Sequence, residues 1–408
     1  MTDHLLAEYR AFTANGAGAA PDWLRQLRQR AMDRFTAVGF PTTKQEAWRF
    51  TSVRAVSETA FTRTHVSWTV GGGARAAGVR VLSLDRALAE AGDLVAAHLG
   101  RHARVDENPF TALATAFAAD VIVVAVADGA KIAEPIEVTC RAPDGAKAAM
   151  VFPRMLIVLG DRARATVIER YEGGTAGRYF SAPVTEIVVG AGARLDHVRV
   201  QLDGAGALHV AATHSHQERD SALHSTAAVF GGALARQDVT AVLAGAGASL
   251  ILNGLSVVGG TQHVDHHTTI EHAQPHCESH ELFNGIFDGH ARGVFNGRII
   301  VRPGAQRTDS KQTSNNLLLS ADARADTQPQ LEIYADDVKC THGATLGPLD
   351  PSALFYLASR GIGPAEARGL LTYGFGADII TRITAPAVRD SLDRVVRARL
   401  GVAAGAAA

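Results

Sequence analysis

Cysteine is scarce in this 408-residue chain, which contains only Cys140, Cys277 and Cys340, far apart in sequence. An odd and sparse set of cysteines argues against a disulfide framework and favours a reducing compartment. It also argues against a four-thiolate metal centre held by this chain alone, because one thiol would be missing.

Long apolar runs and a charge excess are missing too. The Val/Ile run at residues 121–126 is closed by Asp128 and is far shorter than the ~18 apolar residues that a transmembrane helix needs. The N-terminal residues have no apolar core of the kind that a secretory signal requires. The formal net charge is -1, which does not favour nucleic-acid binding. We therefore expect a cytoplasmic protein that binds neither membranes nor nucleic acids.

Common catalytic motifs are absent as well. The dipeptide Gly-Lys never occurs, so the chain has no Walker A loop and no ATPase activity of that class. No Gly-x-Ser-x-Gly elbow is present, which excludes the usual serine hydrolase signature. Any energy from ATP would have to come from another protein.

The residue types that are present divide the chain into three parts. Residues 1–120 and 346–408 contain apolar residues at helical spacing, with Pro351, Pro364 and Pro386 placed where helices can begin. Residues 121–345 contain Val, Ile and Leu in runs of strand length, separated by Gly, Asp and Asn. The sequence predicts an N-terminal helical domain (1–120), a β core (121–345) and a C-terminal helical domain (346–408).

Two architectures fit a β region of this length: a closed barrel or propeller, and a parallel β-helix. No exact sequence repeat distinguishes them. Small-residue steps at 190–192 and 245–248, and the pair Asn315-Asn316, favour the β-helix, because stacked coils need tight corners and can form Asn ladders.

The histidines are concentrated in the second half of the chain. Of 17 histidines, 13 lie between His197 and His342, most densely within the segment 263–290. One interpretation is a zinc or iron site, and with it a stand-alone β-helix enzyme that uses a metal or carboxylates on a polysaccharide-like substrate. The alternative is that these histidines are ordinary polar residues on the solvent face of strands.

A sharper candidate is the segment 331–343. Leu331, Ile333 and Ala335 alternate with polar residues, as in a half-buried strand, and the alternation breaks at Asp336-Asp337, which indicates a bend. Beyond the bend, Cys340 and His342 are two residues apart and would share one face of an extended strand. A thiol beside an imidazole can bind iron or sulfide. The alternative is a buried free cysteine beside a surface histidine.

Several long motifs resemble the SufD family of the SufB/SufD superfamily. The N-terminal segment 41–52 is similar to the entry segment of that family. The C-terminal half carries the more specific motifs, and His-Gly-Ala-Thr at 342–345 stands where SufB-type chains typically carry His-Glu-Ala-Thr. The residues that carry the C-terminal resemblance are 293–301, 305–308, Gln312, 316–320, 329–345 and 354–362.

The resemblance implies a right-handed parallel β-helix core, flanked by N-terminal and C-terminal helical domains. It implies a non-catalytic scaffold subunit of a SufBCD complex for iron–sulfur cluster assembly, with ATP hydrolysis by the partner SufC. SufB would pair through the β-helix, a homodimer being a further possibility. No cofactor would be tightly bound to the isolated chain, and iron or a nascent cluster would be held transiently at the interface with SufB.

The resemblance also assigns roles to individual residues. His342 matches the interface histidine of the family and is the expected ligand for iron or the cluster. Cys340 matches the interface cysteine and either assists or has a structural role. The C-terminal helices would bind SufC, and the candidate docking residues are Phe355, Tyr356, Arg360, Leu370 and Phe375.

Overall fold

The computed structural model describes residues 2–14, 20–143, 148–174 and 177–402. Its core is a solenoid in which the chain alternates between two long, mostly parallel sheets, so that each coil stacks on the previous one. The parallel β-helix expected from the sequence, with helices at both ends of the chain, is confirmed. In the described part of the chain, no helix combines the length and apolar character needed to cross a membrane.

The strands of the two sheets follow one another in spatial order along the rod. The first sheet consists of β3 (Val79–Ser83), β4 (Val121–Val126), β7 (Arg154–Leu159), β10 (Val184–Val189), β12 (Leu208–Gln217), β14 (Leu234–Leu243), β16 (His263–His272), β18 (Arg292–Val301) and β20 (Arg324–Ile333), with β1 (Thr62–Arg63), β6 (Ala149–Val151) and β9 (Tyr179–Ser181) beside it. The second sheet consists of β2 (Ser67–Gly72), β5 (Ile136–Arg141), β8 (Arg164–Glu172), β11 (Arg194–Leu202), β13 (Ala222–Val229), β15 (Ser249–Val258), β17 (Glu278–Phe287), β19 (Thr308–Leu318) and β21 (Val338–Gly347).

Helices precede and follow the solenoid. The N-terminal helices are α1 (Thr2–Ala14), α2 (Asp22–Val38), α3 (Arg54–Ser57), α4 (Leu84–Glu90), α5 (Gly92–His98) and α6 (Pro109–Ala116). The C-terminal helices are α7 (Pro351–Ser359), α8 (Pro364–Ile380) and α9 (Pro386–Leu400). Proline occupies the first turn of α6, α7, α8 and α9, where its missing N–H costs no helical hydrogen bond.

The N-terminal region is less purely helical than the sequence suggested. It contains three short strands, β1, β2 and β3, and β2 consists mostly of Ser, Thr and Gly, so its periodicity was too weak to predict a strand. β2 and β3 pair antiparallel with β5 and β4. The division into these three domains stays a prediction, and residues 403–408 of the predicted C-terminal domain lie outside the described residues.

One corner of the coils is built from residues with left-handed backbone conformation. The backbone N–H of Gly192 donates to the carbonyl of Arg219 in the next coil (2.8 Å), and that of His276 donates to Gln306 (2.9 Å). The same positive φ recurs in successive coils, at Gly129, Arg162, Gly192, Asp220, Gly247, His276 and Arg307. The backbone conformation recurs at this corner in each coil, but the amino acid that adopts it changes. The coils therefore produce no exact repeat in the sequence.

The interior of the rod, here called the lumen, is filled by alternate residues of each strand. At the N-terminal end it is apolar, with Ile122, Val124, Val167 and Leu195 in one buried cluster. Outward-facing residues of the first sheet pack against the N-terminal helices, and those of the second sheet pack against α8 and α9. The helices therefore cover the sides of the rod.

A group of histidines lies where the N-terminal region meets the first sheet. The His102 ring stacks on His98 and on His216, with ring centroids 6.0 and 4.8 Å apart. Glu186, fully buried, accepts the backbone N–H of His102 and pairs with Arg154 at 2.7 Å. Burial lowers the pKa of His102 to about 4, with His216 adding to the effect. The folded state thus favours a neutral His102 ring.

We predict that stability falls as the pH drops from about 6.5 towards 4. Between these pH values His102 is protonated in the unfolded chain but neutral in the folded chain. The unfolded state therefore binds more protons, and the free energy of unfolding rises with pH. His102→Phe keeps a stacked ring and should lose less stability on acidification, by on the order of 1 kcal/mol, since the ring is partly exposed. Urea unfolding at several pH values measures this, and parallel pH curves for both proteins would contradict it.

Candidate functional site

The C-terminal end of the rod is open. β20 and β21 are the last strands of their sheets, and each pairs on one side only, with β18 and β19 respectively. Their residues are half-buried or exposed along the whole length, unlike the strands before them. The outer edges of two ten-residue strands therefore present unpaired backbone groups, which can accept a strand from another chain.

The opposite end of the rod is closed. There the parallel stacking stops, since β2 and β3 run antiparallel to their neighbours. β4 and β3 also pack with α2, α4 and α5 in one apolar cluster that includes Leu24, Leu84 and Val95. The two ends therefore differ in kind, and among residues 2–14, 20–143, 148–174 and 177–402 only the C-terminal end leaves long parallel strands uncovered.

Cys340 and His342 lie on the same face of β21, as predicted from their spacing. They face the lumen at the open end, in register with Ser310 and Gln312 of β19. Cys340 is half-buried and packs against an apolar cluster that includes Ile299 and Ala335, whereas His342 is exposed. The bend predicted at Asp336-Asp337 is the corner between β20 and β21. The structure thus brings the two residues together, and their role as ligands stays a prediction.

The environment of Cys340 favours the protonated thiol. Burial raises its pKa, and the nearby Asp309 carboxylate adds to this effect. A thiol in this state is a poor nucleophile and a weak ligand until a metal ion displaces its proton. Cys340 is therefore suited to bind a metal that a partner delivers, rather than to react alone.

Polar side chains lie in the lumen directly beneath these two residues. Under Cys340, the hydroxyl of Ser310 contacts that of Ser279 at 2.8 Å, and Ser279 contacts Nε2 of His272 at 2.8 Å. Under His342 lie Gln312 and then Glu281, each almost completely buried. The polar interior therefore continues inward from the open end through two coils.

Two ligands do not complete a metal site. Among the described residues, no three His, Cys, Asp or Glu side chains are arranged to hold a metal ion. A tetrahedral iron site, or a corner of a cluster, needs further ligands. The pair at the open end can contribute part of a ligand set if another chain supplies the remainder.

The histidine-rich segment 263–290 does not form a single centre. His263 contacts Thr51 of the N-terminal region, and His267 pairs with Asp265 at 3.1 Å. His266 and His272 are buried in the lumen. His280 and His290 are exposed on different strands and corners. The strand alternation separates these rings, so the dense sequence pattern reflects several independent contacts.

The predicted ATPase-docking residues fall into two groups. Phe355 and Tyr356 are 76% and 56% exposed on α7, a helix without buried residues, and the guanidinium of Arg360 lies 5.0 Å from the Tyr356 ring centroid. Leu370 is half-buried on α8, and Phe375 packs against the second sheet. The surface of α7, meaning Phe355, Tyr356 and Arg360, is thus available to a partner, whereas Phe375 contributes mainly to attaching α8.

Sequence reasoning included Glu281 in the histidine-rich segment 263–290 but gave it no role of its own. Burial raises its pKa to about 7, with the hydrogen bond from Gln312 acting in the opposite direction. The alternation of residues along the strand could have identified it, because Glu281 lies on the same, inward face of β17 as Phe283 and Phe287. A carboxylate at a core position is expensive, so its presence near a candidate site points to a role there.

Comparison with known protein families agrees with this arrangement. A family model described as "SUF system FeS cluster assembly, SufBD core domain" matches residues 141–375, most of the solenoid. A second model, "SufBD protein N-terminal region", matches residues 72–138. The matched region contains both residues of the candidate site.

Similar proteins come from several bacteria. The iron–sulfur cluster assembly protein SufD of Escherichia coli is 31% identical over 413 residues, covering 96% of this chain and 95% of that protein. A SufBD family protein of Synechocystis is 32% identical over 75% of this chain and 69% of its own length. SufD of Bacillus subtilis is 28% identical over 73% of this chain and 68% of its own length. The chain therefore belongs to the SufBD family of iron–sulfur cluster assembly proteins, as a member of its SufD branch.

Proposed function

We propose that this chain is the non-catalytic SufD subunit of a cytoplasmic SufBCD complex that assembles iron–sulfur clusters. The observation that carries the proposal is the open end of the rod, where Cys340 and His342 lie on β21, one of two uncovered strands. The chain supplies part of a ligand set and a pairing surface. SufB supplies the remaining ligands, and SufC supplies ATP hydrolysis.

Backbone pairing is the natural mode of contact with SufB. The outer edges of β20 and β21 offer donors and acceptors along ten residues each. A partner built on the same coil geometry can continue both sheets, and main-chain hydrogen bonds then give affinity while side chains give specificity. Such pairing would enclose Cys340 and His342 at the junction.

The surface of α7 is the proposed contact for SufC. Two exposed aromatic side chains and an arginine on one short helix have the composition of a protein interface, where Tyr, Phe and Arg are enriched. α7 follows β21 directly, so movement of α7 by a nucleotide-driven partner would be transmitted to the strand that carries His342.

Iron, or the nascent cluster, is the cargo of this site rather than a resident cofactor. His342 would bind iron through one ring nitrogen, and Cys340 would release its proton on binding the metal. An incomplete ligand set holds its cargo weakly, which is consistent with transfer to a recipient protein.

We predict that His342→Ala lowers cluster assembly about tenfold or more without unfolding the chain, because an exposed ligand is lost. The chain is co-expressed anaerobically with SufB and SufC, and iron and acid-labile sulfide are measured per complex. Thr341→Ala, an exposed neighbour on the opposite face of β21, is the matched control and should retain wild-type yield. Cluster yield equal to wild type in His342→Ala would refute the site.

We predict that Leu346→Asp weakens the association with SufB by at least about tenfold in Kd, because it places a charge in the desolvated core of the interface. Leu346 is 56% exposed at the open end, so the isolated chain should stay folded. The control is Val70→Asp, which places the same charge on an exposed residue of β2 at the closed end. Binding is measured by titration calorimetry of purified subunits.

The same variants test whether the open end pairs with SufB or with a second copy of this chain. Dimerisation of the isolated chain that Leu346→Asp abolishes would show that the open end also pairs with itself. An unchanged affinity for SufB in Leu346→Asp would place the interface elsewhere.

We predict that Phe355→Asp reduces SufC binding severalfold while leaving SufB binding unchanged, because the α7 surface and the open end are separate. Val38→Asp places the same charge on another exposed apolar residue, at the end of α2, and serves as the control. Co-purification of SufC with each variant is measured by quantitative gel analysis. Equal SufC recovery from Phe355→Asp and Val38→Asp would exclude α7 as the contact.

A further inference from the structure

A column of three polar side chains runs through the last coils of the second sheet. Strand register places Glu281 of β17 beside Gln312 of β19, and Gln312 beside His342 of β21. Side chains in adjacent parallel strands at matched positions lie about 4.8 Å apart along the sheet. The column therefore leads from the buried carboxyl of Glu281 to the exposed imidazole at the open end.

Glu281 binds the amide of Gln312 directly. Nε2 of Gln312 donates to Oε2 of Glu281 at 2.6 Å, and the two side chains are 1% and 2% exposed. The other groups that face the carboxyl are uncharged, namely Leu252 on the flanking strand and Thr268 across the lumen. Among the described residues, no cation shifts the pKa of Glu281; the Gln312 amide lowers it more than the Thr268 hydroxyl does and is the principal partner of the carboxyl.

The second polar atom of the amide is unused. Oε1 of Gln312 is buried and has no hydrogen-bond partner in the described part of the chain. Space for this amide exists because residue 297, across the lumen, is glycine: a Cβ there would lie 2.1 Å from Nε2 of Gln312. An acceptor in register with His342 is therefore present, and the lumen is shaped to hold it.

The order of the three groups in the column, carboxyl, amide and imidazole, allows the first to orient the second and the second to orient the third. An ionised carboxylate only accepts hydrogen bonds, so it holds the NH₂ of Gln312 and fixes which way the amide points. Oε1 is then left free to accept a ring N–H from the neighbouring histidine. A histidine ligand whose second nitrogen is held in this way has a fixed tautomer and orientation, and such partners typically change metal affinity 10- to 100-fold.

We propose that Gln312, oriented by Glu281, is a positioning residue that accepts the non-ligating ring N–H of His342 and turns its other nitrogen towards the incoming iron. This inference rests on the proposed function, in which His342 is a ligand, and adds to it the mechanism that prepares this ligand. Glu281 and Gln312 do not touch the cargo themselves.

The column also makes the site sensitive to pH. Burial raises the pKa of Glu281 to about 7, so its carboxyl changes state near neutrality. The protonated carboxyl can donate to Oε1 of Gln312, and its O–H then competes with the ring N–H of His342 for that one acceptor. Cluster assembly should accordingly rise with pH through about 7 as Glu281 ionises.

The test compares cluster yield and its pH dependence in complexes co-expressed with SufB and SufC. Gln312→Leu removes the acceptor and should lower yield about tenfold. Glu281→Gln should lower yield and flatten the rise between pH 6 and 8. The exchange Glu281→Gln/Gln312→Glu restores a fixed acceptor beside His342 and should recover most of the yield. That recovery is a result which a purely structural role would not produce.

Two further variants keep the test independent of misfolding. Gly297→Ala displaces only the flexible end of Gln312 and should reproduce part of the loss with little change in Tm. Ser314→Ala alters a buried polar residue of the same strand that is in register with Ala344, and should behave as wild type. Thermal unfolding of each purified chain confirms that the variants are folded.

The outcomes separate this inference from the proposed function. If His342→Ala loses cluster assembly while Gln312→Leu and Glu281→Gln keep the wild-type yield and pH profile, the positioning role is wrong and the site stands. If His342→Ala itself has no effect, the site assignment fails and the positioning role fails with it.

Discussion

In-register parallel pairing between successive coils is the constraint on which the rest of this structure depends. Each lumen-facing side chain lies beside its counterpart in the next coil, so residues far apart in sequence form continuous columns. His342 therefore has Gln312 and Glu281 beneath it, although 61 residues separate the ends of that column. Chemistry at one end of the rod is linked to the interior by backbone geometry alone.

The same constraint gives the two ends different properties. Parallel stacking of coils can continue indefinitely unless an element ends it. At the N-terminal end, β2 and β3 end it because they run antiparallel to their neighbours. At the other end the last coil leaves its edges to water, which satisfies the backbone of the isolated chain at no great cost. An edge of this kind is stable in solution and ready to pair, and natural proteins usually shield such edges.

The fold was predictable where its signal is local, and the site only in part. Short Val/Ile/Leu runs predicted strands, and the polarity break at Asp336-Asp337 located a corner. The coil repeat escaped detection because the left-handed corner accepts Gly192, Asp220 or His276 alike, so geometry repeats without identity. β2 was missed because Gly and Ser give no clear alternation. The partners of His342 could not be found, since register between distant strands follows from three-dimensional stacking.

The column beneath Cys340 changes character towards the open end. It runs through Ala165, Leu195, Leu223 and Leu250, and then through Ser279 and Ser310. Leucine at these last two positions would bury more apolar area and need no hydrogen-bond partners, so the serines lower stability relative to a continued apolar column. Real proteins break local rules of packing mainly at functional or strained sites. The change begins two coils before the rod ends, so polar side chains extend inward from the candidate site along the register.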